Sequence, residues 1–257
     1  MYRSYASKVD VQVFDDKGAL GTAAASFVAE RLRRAVVKRG AASVILATGA
    51  SQYEFLVALR QMEVDWARVT AFHLDEYLGM SADHPASFRR YLREQLFDHL
   101  PFAAVHLLEG DAAEPAQECL RYASLLKQGT IDVACIGIGE NGHLAFNDPP
   151  AEFDTLNLVH VVDLDEVCRR QQVGEGHFSA IEEVPRQALS LSIPAILAAL
   201  TISCVVPDQR KAEAVRCTLE GAISADCPAS ALRRHGDCHL FLDSDSASLL
   251  SGGKHDA

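Results

Sequence analysis

IDVACIGIGENGHLAFNDPP, residues 131–150, runs from an apolar stretch into a loop crowded with glycine and polar side chains. Its first part, IDVACIGIG (131–139), reads as a short, mostly buried strand. Runs of the same kind recur on both sides: VQVF (11–14), SVILATG (43–49), VTAFHLD (69–75), LVHVVDL (158–164), LTISCVVP (200–207) and CHLFLD (238–243). Between them stand TAAASFVAERLRRAVVKRG (22–40), QYEFLVALRQM (52–62), HPASFRRYLREQLFDHL (84–100), AEPAQECLRYASLLKQG (113–129) and QRKAEAVRCTLEGAI (209–223), with apolar residues at helical spacing. The alternation predicts an α/β fold: a three-layer, Rossmann-like, doubly wound and mostly parallel sheet with helices on both faces. No repeat or linker interrupts it, so residues 1–257 are expected to form a single domain with a frayed tail, SGGKHDA (251–257).

With 49% apolar and 23% charged residues, the chain can bury a large core, which excludes wholesale disorder. No apolar run is long enough to span a bilayer, and MYRSYASKVDVQVFDD has no apolar middle of the signal-peptide kind; a cytoplasmic location is expected. The net charge of −11 opposes general affinity for nucleic acid, although a small anion can still be held by local groups. Seven cysteines, Cys119, Cys135, Cys168, Cys204, Cys217, Cys227 and Cys238, are odd in number and form no C-x-x-C pair. They are expected to be reduced thiols, with Cys135 and Cys204 as core filler.

In parallel sheets, functional groups gather where strands end at their carboxyl edge. Three places qualify. Thr48-Gly49-Ala50-Ser51 joins a strand to a helix, and Ser51 with Glu54 has the S-x-x-E spacing of a capping box. Such a loop is either a tight turn with a structural cap or an anion site made of free N–H groups at a helix start. In HLDEY, Asp75 and Glu76 leave a strand on opposite faces, so one can enter a cleft while the other serves structure. His73-x-Asp75 has no companion ligands at metal-site spacing, and no metal is expected. In the third place, Gly137-x-Gly139-x-x-Gly142 superficially matches a dinucleotide fingerprint with Asp163 or Asp165 some way on. That fingerprint needs a helix to open at the loop, yet LAFN runs straight into Pro149-Pro150. What remains is a turn presenting Asn141, His143, Asn147 and Asp148, a candidate site or a self-capping turn.

FHLDEYLGM (72–80), GIGENGHLAFNDP (137–149), VPRQAL (184–189) and DQRKAEAVRCTLEG (208–221), together with ATGAS (47–51), resemble the glucosamine-6-phosphate deaminase/isomerase family over roughly residues 40–245. The resemblance implies an enzyme converting a 2-amino-2-deoxyhexose 6-phosphate to the ketose phosphate and ammonia, with no metal or organic cofactor. It implies Asp75 as the enolisation base and His143 as the ring-opening group, with Asn141 and Asp148 orienting that histidine. It also implies a phosphate site from Thr48, Gly49, Ala50, Ser51, Gly137, Gly139 and Lys211. A phosphorylated sugar is thus the expected partner, and a homo-oligomer stays open because members of this family differ in assembly.

Three departures stand out. Asn141 removes a negative charge that some members have, Asp148 is one methylene shorter than the usual glutamate, and Gly176-His177-Phe178 replaces an arginine and two aromatics that clamp the phosphate. Arg169, Arg170 and Arg210 are candidates to compensate. Two other readings stand behind the first: a 6-phosphogluconolactonase on the same broad fold, and a non-catalytic sugar-phosphate sensor that keeps the pocket.

Overall fold

The computed structural model describes residues 9–174, 176 and 178–251. β1 (Val9–Phe14) leads into α1 (Lys17–Arg39), followed by β2 (Ala42–Leu46), α2 (Tyr53–Leu59), β3 (Val69–His73) and β4 (Asp75–Tyr77). Next come α3 (Phe88–Leu92), β5 (Ala104–His106), α4 (Pro115–Leu126), β6 (Val133–Ile136), β7 (Val159–Asp163) and α5 (Glu166–Gly174). The last third holds β8 (Gln187–Leu191), α6 (Ile193–Leu197), β9 (Thr201–Val206), α7 (Ala212–Glu220) and β10 (Cys238–Asp243).

Seven strands form one wholly parallel sheet in the order β1-β10-β9-β6-β2-β3-β5. Neighbouring residues of a strand serve opposite cores, which is why the runs are apolar throughout. Val44 and Leu46 pack with Val28 and Leu32 of α1 and Phe55 and Leu59 of α2. Ile45, Phe72 and Ile136 pack with Tyr122 of α4, Ile196 of α6 and Val215 of α7. Helices therefore cover both faces, as expected. None of the seven cysteines is in a disulfide, and Cys135 and Cys204 are buried in the sheet.

One strand read from the sequence falls outside the parallel sheet. LVHVVDL is not a member of the parallel sheet: β7 pairs with β8, and β8 with β4, in a separate three-stranded antiparallel sheet. From His160 to Asp163 its exposure alternates, as befits a strand with one face open. The small sheet places β4 over the carboxyl edge of the large one, since Asp75 pairs with Ser190 and Tyr77 with Ala188. After β2 the chain moves to β3 on one side, and after β6 it moves to β9 on the other. This divergence leaves a crevice between the carboxyl ends of β2 and β6. The tail expected to fray, residues 252–257 above all, lies outside the described residues.

Candidate active site

A cleft of about 520 Å³, counted to its open mouth, occupies that crevice. It is lined by Thr48, Gly49 and Ser51 after β2, Asp75 in β4, Gly137, Gly139 and His143 after β6, and Lys211 before α7. Eight of the eleven residues singled out in the sequence thus meet at one wall. Asn141 and Asp148 stand behind His143, and Ala50 is exposed outside the lining. The capping box is corrected. Ser51 lies inside a single 3₁₀ turn (Ala50–Gln52) that precedes α2, and its hydroxyl accepts from Gln52 Nε2 (3.1 Å) rather than capping the helix. The short turn inserted before α2 displaces the helix start by one residue, so Gln52 rather than Ser51 takes the cap position and the S-x-x-E spacing no longer fits.

Asp75 and Glu76 divide as their alternation demands. Glu76 is fully buried and accepts from Tyr77 N (2.9 Å), Ser87 Oγ (2.7 Å), Phe88 N (3.2 Å) and Arg89 N (3.0 Å), tying β4 to the start of α3. Asp75 faces the cleft instead, 6% exposed, with no hydrogen-bond donor to its carboxylate among the described residues. Burial, reinforced by the Glu76 charge, pushes its pKa up to about 8. Once ionised, a carboxylate with a raised pKa is a stronger base than one in water, as proton abstraction from carbon requires. His73, two residues earlier, is sealed in the interior; burial and then Arg89 lower its pKa to about 3, which keeps the ring neutral.

His143 is 7% exposed, and its Nδ1 lies 3.1 Å from Asp148 Oδ1, off the line of a well-formed hydrogen bond. Asn141 builds the support: its Oδ1 accepts from His143 N (3.0 Å), while Nδ2 donates to Asp148 Oδ1 (3.0 Å) and Asp165 Oδ2 (3.3 Å). Asp165 N donates to Asp148 Oδ2 (3.2 Å). Burial raises the Asp148 carboxyl, but the contacts from His143, Asn141 and Asp165 outweigh it and hold the group below the ordinary carboxylate value. Asp165, which the dinucleotide reading would have put on a ribose, is thus a brace for Asn141. No helix opens at residues 137–150. Gly139 is required by close approach, because a Cβ there would sit 2.2 Å from the His143 ring. Ala145, in the cleft wall, holds a left-handed φ of 53°, local strain of the kind kept at sites.

His143, Asp148 and Cys168 offer ligand atoms within 4.8 Å of one another, the one such group among the described residues. Burial, and then the charges of Asp148, Asp165 and Asp75, push the Cys168 thiol far up, which opposes a thiolate ligand. The donor set fits a hydrogen-bonded acid–base group better than a metal site.

Lys211 ends a 3₁₀ turn (Gln209–Lys211) at the head of α7 and is 4% exposed, so its ammonium belongs to the cleft. The turn is set by Asp208, held at a left-handed φ of 89° by accepting from Arg210 N (3.1 Å) and donating its own N–H to Asp243 (2.9 Å). None of the three candidate arginines lines the cleft. Arg169 donates to the carbonyls of Val184 (3.0 Å) and Ile181 (2.5 Å), Arg170 pairs with Glu166, and Arg210 with Asp208 (3.2 Å) and Glu140 (3.5 Å). Gly176 has a φ of 82°, so an arginine there would be strained, and His177 lies outside the described residues. The sequence reading did not single out eight further lining residues, among them Phe88, Phe146, Gln171 and Gln172. Phe146 sits inside the quoted loop, but nothing local marks Phe88 or the two glutamines, which reach the cleft only through packing.

A parallel α/β sheet with a buried carboxylate, a carboxylate-backed imidazole and a lysine converging at its switch point defines the class of acid–base enzymes that handle small polar substrates. The chain belongs to the glucosamine-6-phosphate isomerases/6-phosphogluconolactonase family, whose model matches residues 15–240. It is 42% identical over 206 residues to a glucosamine-6-phosphate deaminase of Exiguobacterium sibiricum, covering 80% of each chain. It is 36% identical over 220 residues to that of Bacillus cytotoxicus, covering 86% of this chain and 82% of the relative. Among solved structures, a monomeric glucosamine-6-phosphate deaminase superposes with a TM-score of 0.87 at 33% identity, over 94% of this chain and all of that one. A 6-phosphogluconolactonase from Trypanosoma brucei superposes at 0.80 with 19% identity, over 95% of this chain and all of that one, a likeness of fold alone. Among the described residues no helix is long and apolar enough to cross a membrane.

Proposed function

We propose that this protein is a glucosamine-6-phosphate deaminase, converting glucosamine 6-phosphate and water to fructose 6-phosphate and ammonia as a single-domain enzyme of the cytoplasm. The observation that carries the reading is Asp75, a buried carboxyl group with a raised pKa and no donor among the described residues, facing the same cleft as His143. His143, braced by Asp148 and Asn141, moves a proton between the anomeric hydroxyl and the ring oxygen and opens the sugar. Asp75 then takes the proton from C2 and returns it to C1, leaving an imine at C2. Water adds to that imine and ammonia leaves. The substrate's own carbonyl accepts the electron pair, so the chemistry requires no cofactor. Lys211 and the N–H groups of the Thr48–Ser51 loop, beside Gly137, hold the phosphate at the other end.

The test is ammonia and fructose 6-phosphate formation from glucosamine 6-phosphate, beside galactosamine 6-phosphate and 6-phosphogluconolactone. Stoichiometric ammonia and ketose phosphate support the reading. Lactone hydrolysis without ammonia release, or binding without turnover, would overturn it.

A further inference from the structure

Gln172 is buried in the last turns of α5, 5% exposed, yet it lines the cleft. Its amide is used at one end only. Oε1 accepts the Tyr77 hydroxyl at 2.7 Å, while Nε2 has no acceptor among the described residues and is not sealed from the cleft. Tyr77 is itself fully buried in β4, packed with its ring centroid 4.9 Å from that of Phe88 and 5.3 Å from that of Phe146. An amide whose carbonyl is pinned this way has its N–H groups aimed by geometry rather than by chance. A donor that opens on the cleft with no protein acceptor is free to meet one that a ligand supplies.

The position also selects the acceptor. The reacting end of the cleft belongs to Asp75 and His143, and the anionic end to Lys211. Gln172 is joined through Tyr77 to the wall made by Phe88 and Phe146, where a phosphate dianion would be poorly solvated and a neutral hydroxyl is well suited. We propose that Gln172 is a substrate-positioning residue whose Nε2–H donates to a hydroxyl in the middle of the sugar, at C3 or C4. The inference rests on the function proposed above. It gives the site a means of reading the sugar between its two ends, because a fixed donor rejects a substrate lacking the matching acceptor.

The experiment is a set of cycles with glucosamine 6-phosphate and its 3-deoxy and 4-deoxy analogues, on wild type, Gln172→Ala and Gln172→Glu. Both variants should lower kcat/KM for the parent sugar roughly five- to tenfold. Glu is informative because it keeps the acceptor for Tyr77 but lacks the donor. A purely structural latch between α5 and β4 would leave Gln172→Glu near wild type, and that result overturns the proposal. Removal of one of the two hydroxyls should weaken wild type by a similar factor and leave Gln172→Ala almost unchanged. Fully additive losses for both analogues would also overturn it, with the deaminase reading intact. If wild type releases no ammonia from the parent sugar, the functional reading itself fails and takes this inference with it.

Discussion

Asp75→Asn tests the proposed base through stability as well as activity. In the folded protein the carboxyl has a pKa raised from 3.8 to about 8, mostly by burial and then by Glu76. Between those two values the folded state holds a proton that the unfolded chain has released. Stability is therefore fully present below the unfolded value and falls as pH rises towards about 8. The gap is roughly four pH units at about 1.4 kcal/mol each, an upper bound of ~6 kcal/mol. The open cleft admits water, and about 2 kcal/mol is the working figure. Asparagine is nearly isosteric and never ionises, so it removes this penalty. Urea unfolding at about pH 5 and about pH 8.5 should show the variant gaining on wild type by about 2 kcal/mol more at the higher pH. The same variant should release no ammonia and exchange no C2 proton, with substrate binding changed by no more than several-fold. A stability gain that is the same at both pH values, or near-normal turnover, would refute the reasoning.

Three further substitutions probe the rest of the cleft. Lys211→Met removes an ammonium that is 4% exposed; a charge-assisted bond of about 1.5–3 kcal/mol predicts a KM at least roughly tenfold higher, read by steady-state kinetics across substrate concentration. Gly139→Ala places a methyl 2.2 Å from the His143 ring, so kcat should fall at least roughly a hundredfold while circular dichroism reports an intact fold. Asn141→Asp replaces the shared donor with a third carboxylate beside Asp148 and Asp165. It should destabilise the protein by about 2 kcal/mol near pH 7, with the loss shrinking on acidification, as thermal melts at several pH values would show.

Much of the architecture was legible because burial on two faces leaves a simple mark. β2, β3, β6, β9 and β10 are apolar runs with helical spacing between them, and each was found within a few residues. The short β5 was missed, since three residues at a sheet edge carry little pattern. β4 lay hidden inside the HLDEY motif, because its partner Ser190 is far along the chain and register is a long-range property. Alternation alone showed that Asp75 and Glu76 part to opposite faces; the choice of Asp75 for the cleft came from the family resemblance. The cap at Ser51 was misread, because the choice between a 3₁₀ turn and a helix start is made by what packs around it. Gln52 Nε2, for instance, reaches over to Val205 O (3.3 Å).

By itself, the order of residues determined the class of fold and the carboxyl-edge loops as the place of the site, which follow from local pattern: strand burial, glycine-rich turns and clustered polar groups need no knowledge of the rest of the chain. The resemblance to the family, also carried by the sequence, singled out eight of the residues that line the cleft. Tertiary structure alone decided the raised pKa of Asp75, the bracing of Asn141 by Asp165, and the arrival of Phe88, Gln171 and Gln172 in the cleft. It also decided that, among the described residues, no guanidinium lines that cleft. Each of these depends on desolvation or on contacts between segments distant along the chain, and such contacts exist only once the two sheets have packed together.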